Sequence, residues 1–214
     1  MKKALSILTA GCLAVSLAAC GSTAASSDAS AADSTASSAA ESTAASDTAA
    51  ADGQTYKVGI CQLVQHVALD AATQGFKDAL TEQLGDAVTF EEKNAQGDSN
   101  TCSTIINGFV SDNVDLILAN ATPALQAAQA GTNTIPVLGT SVTEYGVALG
   151  IDDFDGLVGT NISGTSDLAP LDEQAGIIKE LFPDAKTVGL LYCSAEPNSQ
   201  YQVDTVKASL EELG

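Results

Sequence analysis

Two rhythms of apolar and polar positions alternate along the chain from residue 55 onward. Short apolar runs end in polar turns, and each is followed by a stretch whose apolar residues return every three or four positions. The first run, residues 56–61, predicts a strand. Residues 68–84 then place Leu69, Ala72, Phe76, Ala79, Leu80 and Leu84 near helical spacing, with Asp70 in the first turn, where an acid suits the helix dipole. Further strands are predicted at 87–92, 114–119, 135–139 and 158–162. Helices are predicted over 101–110 and from Thr122-Pro123 to Gly131, with threonine as N-cap, proline opening the first turn and glycine closing the last. The polar loop 94–100 ends in helix-capping residues, and residues 140–155 read as a loop holding at most a short helix. Residues 114–119 are mostly apolar, as a central strand covered on both faces should be. Strands alternating with helices imply an α/β fold with a parallel sheet and right-handed crossovers.

Small residues at 163–170 break this pattern. A helix over 171–182, a Pro183-Asp184 turn, a strand over 187–192 and a helix over 198–213 are expected after it. The last strand and helix echo the first. Val58, Gly59 and Ile60 align with Val188, Gly189 and Leu190, and Lys77, Leu80 and Glu82 then align with Lys207, Leu210 and Glu212. A repeated strand–loop–helix unit predicts two similar lobes, each opening with the same element. Residues 55–163 make the N-terminal α/β lobe. Residues 164–214 supply a hinge crossover and an incomplete start of the C-terminal lobe. One strand and two helices cannot form a core alone. The second lobe is therefore expected to be truncated here, and an intact relative to run about a hundred residues longer.

The first 54 residues follow other rules. Met1-Lys-Lys3 is a basic start, and residues 4–19 form an apolar stretch too short for a membrane span of about 20 residues. Residues 1–19 read as an export signal. Leu17-Ala-Ala-Cys20 resembles the lipobox of bacterial lipoproteins. That resemblance implies cleavage before Cys20 and a diacylglyceryl group on its sulfur, each buried methylene contributing about 0.8 kcal/mol of membrane affinity. The alternative is an ordinary secretory signal in which Cys20 is incidental. Residues 20–54 are almost all Ser, Ala, Thr and Asp without apolar periodicity. They read as a disordered tether with a mean reach of about 30–35 Å.

Composition narrows the function. The formal charge is −19 over 214 residues, and every basic residue is a lysine. That excludes a nucleic-acid partner, which needs a basic surface. It also removes arginine's bidentate grip on carboxylates, so an acidic ligand group must be held by backbone N–H groups, hydroxyls or a lysine. Beyond the leader, Cys61, Cys102 and Cys193 fit no metal or disulfide pattern. Cys61 and Cys193 lie in or beside apolar strand runs, where buried free thiols are expected. No nucleophile elbow, phosphate loop or His-rich metal spacing is present. The reading is of a protein that is not an enzyme, with no catalytic residue, metal or cofactor.

In an open parallel sheet, ligands sit outside the carboxyl ends of the strands. That rule selects residues 62–69, 120–123, 140–145 and 165–167, with 194–199 as their counterpart in the second lobe. Two facing sets of loops form a cleft that closes about a hinge.

Several motifs occur together and in order: the lipobox and its tether, Val58-Gly-Ile-Cys-Gln-Leu-Val-Gln-His-Val-Ala-Leu-Asp70, Asn94-Ala-Gln-Gly-Asp98, Asp115-Leu-Ile-Leu-Ala-Asn-Ala-Thr-Pro-Ala124, Gly164-Thr-Ser-Asp167 and Lys186-Thr-Val-Gly189. The set resembles the substrate-binding lipoproteins of ABC importers of the tryptophan/tyrosine type. The resemblance implies a type I periplasmic-binding-protein fold with flavodoxin/Rossmann-like lobes. It also implies a lipid-anchored place on the outer face of the cell membrane, a small ligand that is often an aromatic amino acid, and an ABC permease with its ATPase as partners. Val67 stands where the family usually has proline. Thr143-Glu-Tyr145 stands where it often has Thr-Asp-Pro, in a loop of the expected pocket. Two rival functions remain: a ligand-binding sensory adaptor for a membrane receptor, and an envelope enzyme of α/β fold.

An amino-acid ligand assigns roles. Its carboxylate suits a helix N-terminus, with Thr122 beside Ala121 as first candidate and Ser141 as second; Thr122 is equally an N-cap. Its ammonium suits Asp167 or Glu196, each otherwise a solvated loop acid, with Asn198 alongside. Gln62 lies on the same loop as the apolar candidates. Leu63, Val64, Leu69 and Tyr145 are in range as apolar walls. His66 either meets the ligand or braces its loop, and Asp70 serves its helix.

Overall fold

Five strands pair in the order β2-β1-β3-β4-β5, all parallel, in the computed structural model, which describes residues 53–214. The expected export signal, Cys20 and the expected tether up to residue 52 lie outside the described residues. No helix among the described residues is long and apolar enough to cross a membrane.

The strand β1 (Tyr56–Gln62) is buried from Val58 onward and turns alternate side chains to opposite faces. Val58 and Ile60 meet Phe76, Leu80 and Leu84 of α1 (Val67–Leu84). Gly59 and Cys61 face the other way, toward Cys102, Ile106 and Phe109 of α2 (Ser99–Ser111). A Cβ on Gly59 would lie 2.7 Å from the Phe109 ring, which explains a glycine inside a strand. The chain steps outward from β1 to β2 (Val88–Asn94), then returns past β1 to β3 (Leu116–Asn120). Right-handed crossovers therefore put α1 on one face and α2 with α3 (Thr122–Gly131) on the other. The direction of winding reverses between β1 and β3.

The sheet continues through β4 (Val137–Val142) and β5 (Ile162–Ser166), joined by the short helix α4 (Tyr145–Leu149). Glu144 caps that helix, its carboxylate accepting from the N–H groups of Gly146 at 2.9 Å and Val147 at 2.6 Å. The helices α5 (Leu171–Leu181) and α6 (Pro197–Leu213) pack on each other, and α6 also touches α4.

The parallel α/β lobe is as the apolar pattern predicts, but three elements differ. The fifth strand covers Ile162–Ser166 rather than 158–162 and so crosses the expected lobe boundary. Gly156 and Gly159, both at positive φ, bend the chain before it. Asn161 then anchors the strand's entry, its amide donating to the carbonyls of Ile135 at 2.7 Å and Thr132 at 3.3 Å. Residues 187–192 form no strand: no neighbour among the described residues takes up their backbone groups, and Leu191 is fully exposed. Cys193, expected to be buried, is consequently exposed. Thr122 is also not the N-cap of α3; Ala121 occupies that position and Thr122 is the first helical residue.

Tyr145 fills a slot that two glycines leave open. A Cβ on Gly164 would run into the Tyr145 hydroxyl and into the backbone of Gly139, whose nitrogen would lie at 2.7 Å. Backbone cannot step aside as a side chain can, so Gly164→Ala is expected to cost about 3 kcal/mol. Gly75, inside α1 with open space around it, provides the contrast: Gly75→Ala is expected to stabilise by about 0.5–1 kcal/mol. Urea denaturation reads both, and a Gly164→Ala midpoint equal to wild type would contradict this packing.

Candidate ligand-binding rim

Strand register places every carboxyl end on one edge of the sheet. Gln62 stands opposite both Asn94 and Asn120, Asn120 opposite Thr140, and Val142 opposite Ser166. Backbone bonds continue the pairing past the strand ends: Leu63 N–H donates to Asn120 O at 3.1 Å, and Ala121 N–H to Thr140 O at 3.0 Å. The loops after β1, β3 and β4 thus share one rim. The crevice between β1 and β3, where winding reverses, is the place such sheets bind ligands.

Two residues on this rim hold backbone conformations that side chains disfavour. Ala121 lies at φ 93°, ψ 157°, and Ser141 at φ 54°. They leave neighbouring strands side by side. Such conformations cost about 1–3 kcal/mol each and gather at functional sites. Ser141 also coincides with the register shift between β4 and β5. Beside Ala121, the Oδ1 of Asn120 and the Oγ1 of Thr122 are buried and have no hydrogen-bond partner. These residues are 0% and 1% exposed. Unpaired buried polar atoms are rare and costly in a folded protein.

A hydrogen-bonded chain braces the same crevice. Gln62 Nε2 donates to Val64 O at 2.9 Å and to Asp70 Oδ1 at 2.6 Å. Thr73 Oγ1 donates to Gln62 Oε1 at 2.7 Å. Asn120 Nδ2 donates to Leu69 O and to Thr73 Oγ1, each at 2.9 Å. A groove of about 660 Å³ lies on the β1–β2 side of this chain of bonds, lined by Gln62, Val64, Asp70, Thr73, Glu92 and Asn94 among others and by no residue of β3 or α3. That volume lies within the range of small-molecule sites. Beneath the rim, the Cys61 thiol is pushed up by its hydrogen bond to Cys102 and by burial; both thiols are completely buried, and that burial makes the pair an inert part of the core.

The residues expected from sequence are distributed as follows. Gln62, Leu63, Val64, His66, Leu69, Ala121, Thr122 and Ser141 lie at the ends of β1, β3 and β4. Leu63 is buried, Val64 exposed and Leu69 half-buried. His66 is the N-cap of α1, its Nδ1 accepting from Ala68 N–H at 3.2 Å, so it braces the loop while its ring stays exposed. Tyr145, expected as a pocket wall, is sunk against the sheet and only 6% exposed, its hydroxyl donating to Thr165 O at 3.3 Å. Asp167 is exposed just past β5. Glu196 and Asn198 stand at the start of α6, off the sheet, with Asn198 Oδ1 buried and unpaired. Asn120 lies in the loop that the sheet rule selects but receives no role from the sequence, and Thr73 is not selected at all. Thr73 carried a signal, since it lies on the helical stripe of Leu69, Phe76 and Leu80, where a polar residue needs an explanation.

Burial, and then the charge of Asp167, pushes the Tyr145 hydroxyl up to about 12. An unfolded tyrosine ionises near 10. The unfolded chain therefore gives up this proton first. Stability from this group is intact below about pH 10 and is lost as pH rises toward 12, by about 2–3 kcal/mol. Tyr145→Phe lacks this loss. Its urea midpoint relative to wild type should rise between about pH 9 and pH 11.5, and a pH-independent difference would contradict the assignment.

Comparison with known proteins places the chain in a family. Residues 57–214 match the family model of ABC transporter substrate binding proteins. The "Tyrosine-binding protein" of Clostridioides difficile (strain R20291) is 41% identical over 152 residues, which is 70% of this chain and 44% of that protein. A crystal structure from Streptococcus pneumoniae, described as an ABC domain in complex with L-Trp, superposes with a TM-score of 0.70 at 34% identity. It covers 75% of this chain and 55% of that one. A conserved domain protein of Vibrio cholerae O1 biovar El Tor has the same TM-score at 35% identity, with the same coverage. The chain spans about half the length of these relatives. They belong to a family of binding proteins rather than enzymes. With its parallel lobe of type I periplasmic-binding-protein form and its match across residues 57–214, this chain belongs to the ABC transporter substrate-binding protein family.

Proposed function

We propose that this protein is the extracytoplasmic solute-binding component of an ABC importer, anchored to the cell membrane through lipid on Cys20. It captures an amino acid, of the aromatic class, and delivers it to a permease driven by an ATPase. The observation that carries the ligand-binding part is the rim at the β1/β3 switch point. There, two strained residues and two unpartnered buried polar atoms stand within three consecutive positions of β3–α3 and the adjoining end of β4.

The roles follow from chemistry. A helix leaves its first N–H groups without internal partners, and the chain has no arginine. The α3 terminus with the Thr122 hydroxyl is thus the place for the carboxylate, with Ser141 beside it. Val64 and Leu69 offer apolar surface to the side chain. Asp167 and Glu196 are the acids available to the ammonium from β5 and α6. The relatives named for tyrosine and bound to L-Trp support the aromatic class.

Addition of L-tyrosine or L-tryptophan up to about 1 mM is expected to shift ¹⁵N-labelled backbone resonances of residues 62–69 and 120–124, saturably. Thr122→Ala should weaken that binding about ten- to a hundredfold, one charge-assisted hydrogen bond being worth about 1.5–3 kcal/mol. No response to any amino acid, or a response to sugars instead, would overturn the reading. Labelled palmitate should enter the exported protein and be lost with Cys20→Ser; unlabelled wild type would refute the anchor.

A further inference from the structure

We infer that Thr73 is a positioning residue that turns the side-chain carbonyl of Asn120 toward the ligand, making it an acceptor for the ammonium group. The inference rests on the amino-acid reading of the site above.

The polarity of the chain of hydrogen bonds is set at both ends by groups that only accept. Val64 O and the Asp70 carboxylate both take protons from Gln62 Nε2, so Gln62 must present its oxygen to Thr73. Thr73 has one proton, and it goes to that oxygen at 2.7 Å. Its lone pair is left for Asn120 Nδ2. Leu69 O, a backbone carbonyl, takes the other proton of the same nitrogen. Both amide protons of Asn120 are then committed, and the amide cannot turn over without losing two bonds. Its Oδ1 is left as a buried acceptor without a donor.

Two residues along, the Thr122 hydroxyl is likewise buried and unpaired. One acceptor and one hydroxyl, on residues that flank Ala121 at a helix N-terminus, are the two kinds of group that the head of a zwitterionic amino acid needs. The ammonium donates to Asn120 Oδ1, and the carboxylate accepts from Thr122. Both atoms are shielded from solvent here, so the head reaches them only when the rim loops part. An ammonium has three protons, so Asn120 acts together with Asp167 or Glu196 rather than in place of them.

Thr73→Val keeps the shape of the side chain and removes both bonds, while Thr73→Ser keeps the hydroxyl. Binding of L-tyrosine and of its des-amino analogue, 3-(4-hydroxyphenyl)propionate, is compared across the wild-type chain and both variants by the resonance titration. Wild type and Thr73→Ser should prefer tyrosine. Thr73→Val should lose about tenfold of that preference, with little change for the analogue. Equal losses for both ligands, or no loss, would overturn the inference. A second measurement needs no ligand: the Asn120 side-chain amide protons should exchange slowly with solvent in wild type and Thr73→Ser, and at least about tenfold faster in Thr73→Val. Unprotected Asn120 amide protons in wild type would overturn it independently. If wild type binds neither compound, the solute-binding reading falls, and the exchange experiment alone then decides the polarity.

Discussion

The pairing of β1 with β3, Gln62 opposite Asn120, is the constraint on which the rest of this structure depends. It brings together two loops more than fifty residues apart in sequence and does so at the one place where the helices leave for opposite faces. A slip of one residue would turn Val58 and Ile60 from α1 toward α2 and bring Cys61 onto α1, exchanging the two faces of the core. Register is therefore enforced by burial on both faces, and the rim inherits its geometry from the core beneath it.

That rigidity permits the rim to hold what an isolated loop would not. The φ of Ala121 and of Ser141, and the unpaired oxygens of Asn120 and Thr122, are each unfavourable alone. They persist beside strands whose interior residues are almost completely buried. A ligand that supplies the missing partners recovers part of that cost on binding. The same core explains the inert thiols: Cys61 and Cys102 lie on the facing surfaces of β1 and α2 and serve packing. The Tyr145 slot is the corresponding device at the β4–β5 edge, where two glycines admit a ring that ties α4 to β5.

Much of the lobe was legible in the sequence because its signals were local. Apolar runs marked β1 to β4, Thr122-Pro123 and Gly131 marked α3, and the sheet rule then selected loops that share one edge of the sheet. What was not legible depended on distant partners. The fifth strand was displaced because Asn161 binds carbonyls near residues 132–135, a contact that no local pattern announces. Residues 187–192 have strand-like composition but no neighbour among the described residues, so propensity alone did not make a strand. Tyr145 was read as a pocket wall, since nothing in its own loop reveals Gly139 and Gly164 beneath it. Thr73 was overlooked, although a hydroxyl on an inward stripe was visible, because its partners come from two other elements.

Hydrogen exchange at single amides tests the central claim most directly. If the rim is built by the sheet, the N–H of Leu63 and that of Ala121 should exchange about as slowly as those of Ile60 and Leu118 in the strand interiors, through global unfolding. Fast exchange at Leu63 and Ala121, with Ile60 and Leu118 still protected, would show that the loops are not held in register and would contradict the account.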